Sequence, residues 1–146
     1  MLKGIDRTVS AELLMVLMSM GHGDDLLLCD VNHPAVTIAK ETTYGQLVNM
    51  AGCDLPRAAE AILSLMPLDT FVPAPVMRME VVDDPERIMP VHERMQSVVN
   101  RVEGRVIAIQ ALGRFDFYAA AKRAFAVVRT SDPGPYGCFI LRKGVV

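Results

Sequence analysis

Side chains that can transfer protons or hold a ligand concentrate in three short stretches of the chain. These stretches are residues 22–25 together with 30–33, residues 114–118, and residues 136–138. A histidine such as His22 can both give and take a proton near neutral pH, while carboxylate, guanidinium and phenol groups accept or donate hydrogen bonds. The three stretches therefore predict acid–base chemistry on a ligand that is held by hydrogen bonds.

His22 lies between two glycines, so little side-chain bulk surrounds it and a ligand can approach. An alternative is that His22 only satisfies carbonyl groups at the carboxyl end of a helix. Asp30 follows a run of apolar residues, and a carboxylate after a buried strand is costly unless it is paired or used. Asp24 and Asp25 are expected to be solvated turn residues.

The other two stretches carry one cation and two tyrosines. Arg114 is either a ligand-binding group or one half of a surface ion pair. Tyr118 lies in a predicted helix, where a tyrosine is a core residue by default. Tyr136 lies in the loop SDPGPYG, which is rich in turn-forming residues, and is the better candidate for a ligand contact.

A metal or nucleotide site is the main alternative. His22, Asp24, Asp30 and His33 are candidate metal ligands, but their spacing matches no established pattern such as HExxH. The phosphate-binding patterns GxxxxGK[ST] and GxGxxG and the serine nucleophile pattern GxSxG are missing as well. The sequence therefore predicts a site that uses no metal and no other cofactor.

Alternating strands and helices must position these side chains. Ser10 can cap a helix whose apolar residues follow helical spacing up to Met20, and residues 26–29 form a short apolar run typical of a central strand. Further strands are predicted at 46–50, 77–81 (half-exposed), 105–112, 126–130 and 138–142, and helices at 54–66, 84–100 (interrupted at Pro90) and 117–125. This order predicts an α/β fold with a mixed sheet flanked by helices, in one domain over residues 1–146.

Composition excludes several classes of protein. The 146 residues carry a formal net charge of −2, which argues against a nucleic-acid binder, and 51% are apolar, which argues against disorder. No apolar run approaches the length of a membrane span, and the amino end does not resemble a signal peptide. The high apolar share and ten methionines favour burial between subunits of a homo-oligomer. Three well-separated cysteines, Cys29, Cys53 and Cys138, fit reduced thiols in the cytoplasm.

The chain resembles the L-fucose mutarotase and D-ribose pyranase family, and is closer to the fucose branch. The resemblance rests on LKGI at 2–5, ELLMVLMSMGHGDDLLLCD at 12–30, RFDFYAAAKRAFAVV at 114–128 and PYGCFILRKGV at 135–145. It covers nearly the whole chain and is weak between residues 83 and 105. The last two segments are specific to the fucose branch.

The resemblance implies a three-layer α/β/α fold, a mutarotase activity on a monosaccharide such as L-fucose, and a ring-shaped homo-oligomer, often a decamer, with sites near subunit contacts. Carried over by position, the acid/base histidine is His22. Tyr118 matches a helix tyrosine associated with anomer exchange. The sugar-contacting residues correspond to Asp30, Arg114, Tyr136, Gly137 and Cys138.

Two departures from the family pattern bear on the identity of the sugar. Cys138 stands where the family has the asparagine of a Tyr-Gly-Asn segment, and Asn32-His33 replaces small or aromatic residues. Pyranose–furanose exchange therefore stays open as a further activity. A sugar-binding or regulatory protein without turnover, and a metal-dependent isomerase or hydrolase, are the alternative functions.

Overall fold

The computed structural model of the protein describes residues 2–146. Its helices and strands alternate along most of the chain. In order they are α1 (Ala11–Ser19), β1 (Asp25–Cys29), α2 (Ala35–Ala39), β2 (Leu47–Met50), α3 (Leu55–Leu63), β3 (Val76–Met79), α4 (Pro90–Glu103), β4 (Ile109–Leu112), α5 (Arg114–Lys122), β5 (Ala126–Thr130) and β6 (Cys138–Arg142). The α/β class expected from the sequence is confirmed.

The six strands form one mixed sheet in the order β2-β5-β1-β6-β3-β4. β6 runs antiparallel to both of its neighbours, whereas the pairs β1–β5, β2–β5 and β3–β4 are parallel. β1 is central, and four of its five residues are buried, as its run of apolar residues predicts. The carboxyl ends of β1 and β3 and the start of β6 therefore meet at one edge of the sheet.

Apolar side chains on the two faces of the sheet form separate cores. Alternation along β1 sends Leu26 and Leu28 toward a core shared with α1, α3 and α4. Leu27 and Cys29 point the other way, toward a core shared with α2 and α5. The sheet thus lies between two helical layers, and both of its faces are covered.

Local sequence signals set several element boundaries. The Ser10 hydroxyl accepts a hydrogen bond from the Leu13 N–H at 3.0 Å, and Asp54 caps α3 by accepting from the Arg57 N–H at 2.9 Å. Strands β5 and β6 coincide with the predicted ranges 126–130 and 138–142. Helix α2 was not predicted, since its five residues are too few for a helical period to be recognised.

Three predicted elements were wrong in extent. The helix predicted over 84–100 begins only at Pro90, which occupies the first turn, where a missing N–H is harmless. The strand predicted over 105–112 begins at Ile109, because the Ile107 N–H and C=O bind the side chains of Asn100 and Gln96 and not a neighbouring strand. The helix predicted over 117–125 begins earlier, at Arg114.

The strand predicted over 77–81 as half-exposed is instead buried on both faces. β3 ends at Met79, and even Arg78 is only 8% exposed. The alternation of apolar and charged residues suggested solvent on one side, but α4 covers the face that carries Arg78.

No helix within residues 2–146 is both long and apolar enough to cross a membrane.

Candidate functional site

A cleft of about 280 Å³ opens at the sheet edge where β1 and β3 end and β6 begins. It brings together residues from four separate parts of the sequence. Its lining consists of Asp30, Asn32, His33, Met79, Val82, Arg114, Tyr118, Pro135, Tyr136 and Cys138. The end of a central strand is the usual place for a ligand site in an open α/β sheet.

Asp30 forms the floor of the cleft and holds two loops, the one after β1 and the one before β6, at the end of β1. Its Oδ1 accepts hydrogen bonds from the N–H groups of Asn32 at 2.7 Å and His33 at 3.1 Å, and its Oδ2 accepts from the Gly137 N–H at 2.9 Å. Burial raises the pKa of the carboxyl, and these three N–H donors oppose that rise. A carboxylate offers about four acceptor positions, so one is left for a ligand hydroxyl.

The Tyr136-Gly137 backbone passes so close to Asp30 that a side chain at Gly137 has no room. A Cβ there would overlap the Leu55 Cδ1 and would lie 3.1 Å from the Asp30 Cβ. The glycine thus permits the N–H contact to the Asp30 carboxylate. The family resemblance assigns Gly137 to sugar contact, and that role stays a prediction.

Tyr136 adopts a left-handed backbone conformation with φ of 61°, which is uncommon for a residue with a side chain. Two hydrogen bonds hold it there. The Val82 N–H donates to the Tyr136 hydroxyl at 3.1 Å, and the Nε2 of His92 lies 3.3 Å from the Tyr136 carbonyl oxygen. His92, which the sequence did not single out, therefore positions the tyrosine in the cleft.

Arg114 and Tyr118 lie one turn apart on α5, and both face the cleft. The Arg114 Cζ is 5.9 Å from the centre of the Tyr118 ring, within cation–π range. No carboxylate within residues 2–146 pairs with Arg114, so the surface ion pair considered from the sequence does not form. Tyr118 is half-buried at the cleft wall and is not a core residue.

His33 and Cys138 contribute uncharged groups to the cleft. Burial lowers the pKa of His33 to about 4, and its ring stacks on Tyr118 with centroids 5.5 Å apart. Its buried Nε2 finds no hydrogen-bond partner among the described residues. Burial and the nearby Asp30 carboxylate raise the pKa of Cys138 to about 12, so its thiol stays protonated.

His22 lies at the opposite end of β1, outside this cleft. Its Nε2 is 3.2 Å from the Oδ1 of Asp69, and its ring meets Phe71 edge to face at 5.3 Å. The Asp69 side chain is 3% exposed, whereas that of His22 is 45% exposed. The hydrogen bond that Asp69 accepts from the Phe71 N–H lowers the pKa of its carboxyl most, and the hydrogen bond with His22 lowers it further. His22 is thus oriented by a buried carboxylate and open to solvent.

The alternative role considered for His22, satisfying helix-end carbonyls, belongs to another residue. The Nζ of Lys143 donates to the carbonyls of Leu17 and Met20 at the end of α1, at 2.8 and 2.5 Å. Asp24 accepts from the Gly21 N–H in the turn, and Asp25 pairs with Arg142 through two bonds of 2.9 Å. Asp24 is thus a turn residue, as predicted, whereas Asp25 is the first residue of β1 and is paired with Arg142, so the prediction of a solvated turn residue was wrong for Asp25.

The candidate metal ligands are divided between the two ends of β1. His22 and Asp24 lie before the strand, and Asp30 and His33 lie after it. Within residues 2–146, no three His, Cys, Asp or Glu side chains are grouped so that they could hold a metal ion.

Asp69 was missed from the sequence because it lies 47 residues from His22 and belongs to no recognised spacing. His92 was missed because it falls within a run expected to be helical, where a histidine attracts no notice. The one available signal was burial, which the pattern of α4 does predict for position 92 when Pro90 is taken as the first helical residue.

Comparison with known proteins finds a family and relatives that match nearly the whole chain. A family model described as the RbsD / FucU transport protein family matches residues 3–146. Fucose mutarotase of Homo sapiens is 44% identical over 149 residues, covering 99% of this chain and 94% of the human protein.

Two solved structures share the fold over 99% of both chains. FucU from Bifidobacterium longum has a TM-score of 0.90 and 38% identity. The fucose mutarotase from Streptococcus pneumoniae, solved in complex with L-fucose, has a TM-score of 0.88 and 35% identity.

Proposed function

The chain belongs to the RbsD / FucU family, and on this premise we propose that it is a mutarotase that interconverts the α and β anomers of a monosaccharide such as L-fucose. One observation carries the proposal: a solvent-open histidine oriented by a buried carboxylate, in a chain that also builds a hydroxyl-binding cleft. The relatives named fucose mutarotase support the choice of sugar. Residues 1–146 then act as one sugar mutarotase domain.

Mutarotation requires a proton to leave the anomeric hydroxyl while another reaches the ring oxygen. The ring opens to the aldehyde, the C1–C2 bond rotates, and the ring recloses on the other face. No electron and no phosphate is transferred, so one positioned acid/base group that contributes ~10²–10⁴-fold is sufficient. His22 is assigned that role, and Asp69 holds its ring in one orientation by accepting from Nε2.

The cleft residues are assigned to binding. Asp30 accepts one sugar hydroxyl through its remaining acceptor position, and Arg114 donates to another oxygen. Tyr118 and Tyr136 offer ring faces to the sugar, and Tyr118 also places a hydroxyl near the exchanging anomeric centre. Gly137 and Cys138 bring the backbone of β6 to the sugar, with a neutral thiol in place of an amide.

The separation of His22 from this cleft supports a site shared between subunits. β1 alone is about 16 Å long, so His22 and Asp30 of one chain cannot reach the same sugar. An exposed aromatic ring lies beside each half of the proposed shared site. Phe71, 71% exposed, contacts His22, and Phe115, 84% exposed, follows Arg114 in the chain. We infer a ring-shaped homo-oligomer, such as a ring of ten subunits, that brings the partner subunit's His22 to the cleft.

A cytoplasmic location fits the three cysteines, all of which are free thiols and buried.

The alternative function is sugar binding without turnover. Cys138 in place of the family's asparagine favours this alternative, because an amide contact to the sugar is lost. Saturation-transfer NMR separates the two functions. Irradiating the α-anomer signal of L-fucose should reduce the β-anomer signal in the presence of the protein. Binding without exchange would support the alternative and contradict the mutarotase.

A further inference from the structure

A second and larger cavity, of about 620 Å³, lies on the other side of the cleft wall. It is bounded by residues 92–100 of α4 and by the strands β3 and β4. Its volume is within the range of small-molecule sites. Its polar lining comes from Arg78, His92, Glu93, Gln96, Ser97 and Asn100.

Arg78 places a positive charge in this cavity without a counter-charge. The residue is 8% exposed, and its one hydrogen bond runs from Nη1 to the carbonyl oxygen of Met79 at 3.3 Å. No carboxylate of residues 2–146 lies within ion-pair distance of its guanidinium. A guanidinium has five N–H donors, and burying a charge without a partner is costly. The cavity is the space from which a partner can reach it.

The neighbouring histidine does not compete for that partner. The Nδ1 of His92 accepts from the Met89 N–H at 3.1 Å, which leaves Nε2 to donate to the Tyr136 carbonyl. Burial and the Arg78 charge lower the pKa of His92, so the ring stays neutral. Arg78 is therefore the one cation that lines the cavity among the residues described.

The remaining polar groups are arranged for hydroxyls. The Oδ1 of Asn100 accepts from the Gln96 Nε2 at 2.9 Å and from the Ile107 N–H at 2.8 Å, which leaves the Asn100 amide N–H groups free to donate. Both N–H groups of Gln96 are used, the second on the Ile107 carbonyl at 2.8 Å, so its Oε1 is free to accept. Ser97 and Glu93 lie exposed at the rim, where Ser97 adds a hydroxyl and the Glu93 carboxylate adds a negative charge that opposes an anionic ligand.

We propose that this cavity binds a small polyhydroxy carboxylate, a sugar acid, with its carboxylate on Arg78 and its hydroxyls on the side chains of α4. The planar fork of an arginine matches a carboxylate through two parallel hydrogen bonds. The free amide of Asn100 and the free oxygen of Gln96 supply a donor and an acceptor for hydroxyl groups. The two sites share no lining residue, although His92 and Arg78 contact the Tyr136 and Met79 carbonyl oxygens of first-cleft residues.

Thermal unfolding of the full-length protein tests the proposal, with sodium gluconate as the probe and sodium lactate, sodium phosphate and sodium chloride at equal ionic strength for comparison. Gluconate should raise the unfolding temperature by roughly 3–6 °C at ten times its dissociation constant. Lactate should act more weakly, because it carries one hydroxyl. An equal rise with phosphate would show a general anion site, and an equal rise with chloride would show no site; either result would overturn the proposal.

Three variants locate the effect. Arg78→Met removes the charge, and Ser97→Phe fills the cavity mouth from an exposed position that does not disturb the core; each should abolish the response to gluconate. Arg123→Gln removes an exposed charge outside the cavity and should respond like the wild type. If Arg78→Met does not fold, Ser97→Phe alone decides, and a full response from that variant would contradict the proposal.

Glu93→Gln distinguishes a ligand from an internal ion pair. Removing the negative charge at the rim should tighten gluconate binding by roughly two- to fivefold, the effect expected of one exposed charge. If Glu93 instead turns inward and pairs with Arg78 in solution, the substitution should lower the unfolding temperature without gluconate and leave the gluconate response of the protein unimproved. That result would overturn the proposal.

Discussion

His22 and Asp30 flank the same central strand, one before its first residue and the other after its last. Each is fixed by its own partners: His22 by the Asp69 carboxylate at 3.2 Å, and Asp30 by three backbone N–H groups. The strand therefore separates the proposed proton carrier from the proposed sugar-binding carboxylate. This separation leads to predictions about rate, binding and assembly.

His22→Ala should lower the rate of anomer exchange by roughly 10²–10⁴-fold and leave sugar binding largely intact, because the lost group moves protons. Arg114→Ala should instead weaken binding by about 1.5–3 kcal/mol, the contribution of a hydrogen bond to a charged group. Saturation transfer measures the rate, and calorimetry with the same sugar measures the binding. An unchanged rate in His22→Ala would transfer the proton role to Tyr118 or Asp30.

Mixing the two variants tests the shared site directly. Random co-assembly of His22→Ala and Arg114→Ala subunits should restore about one quarter of the wild-type rate at a sugar concentration well below the dissociation constant, where each variant alone is nearly inactive, since a site becomes intact when each partner supplies its unaltered half. Light scattering should give a mass several times the 16.0 kDa of one chain. A mixture no more active than its components would contradict a shared site.

Cys138→Asn should shift the sugar preference toward L-fucose by roughly 2- to 12-fold, the range for one neutral hydrogen bond. The thiol lines the cleft and is neutral, so it cannot replace the donor and acceptor of an amide. Cys138→Ser, a near-isosteric control, should change affinity only slightly. Competition between sugars in the exchange assay measures the preference, and the same ranking in all three proteins would remove the side chain from specificity.

His33 should make the protein sensitive to acid. Burial lowers its pKa to about 4 in the folded state from the ordinary histidine value of 6.5, so the unfolded chain takes up the proton first as the pH falls. The stability present above pH 6.5 is then lost between about pH 6.5 and 4, by about 3 kcal/mol. His33→Phe should remove that part of the pH dependence in urea unfolding at fixed protein concentration. Parallel pH profiles would contradict this prediction.

Dialysis against a chelator should leave anomer exchange intact, because the proposed reaction needs only a proton carrier and hydrogen-bonding groups. The exchange rate before and after dialysis is the measurement. Activity that is lost and then returns with zinc or manganese would replace the present assignment with a metal-dependent one.

Local signals in the sequence predicted the elements whose residues are fixed by their own pattern. The apolar run at 26–29 and the caps at Ser10 and Asp54 are of this kind. The errors arose where side chains from elsewhere decide the backbone. Ile107 leaves the sheet because Asn100 and Gln96 bind its N–H and C=O groups, and no pattern in residues 105–112 records that.

The residues of the candidate site also fall into those that local sequence signals predict and those that depend on distant partners. Asp30, Arg114 and Tyr136 could be predicted as cleft residues because each lies within two residues of the end of a predicted element, and strand ends in α/β sheets gather at one edge. Asp69 and His92 could not, since each acts through a partner more than 40 residues away. The separation of His22 from Asp30 follows from the sequence, because the predicted strand at 26–29 lies between them.

Cys29 and Cys138 face each other in register across β1 and β6, at the centre of the sheet. Burial raises the pKa of both thiols, and each is at most 1% exposed. Reagents attack thiolates, and Cys29 does not line the cleft, so its sulfur can react with an alkylating agent only when the strands separate. The rate of alkylation at Cys29 therefore reports how often the centre of the sheet opens, as amide hydrogen exchange does for backbone groups.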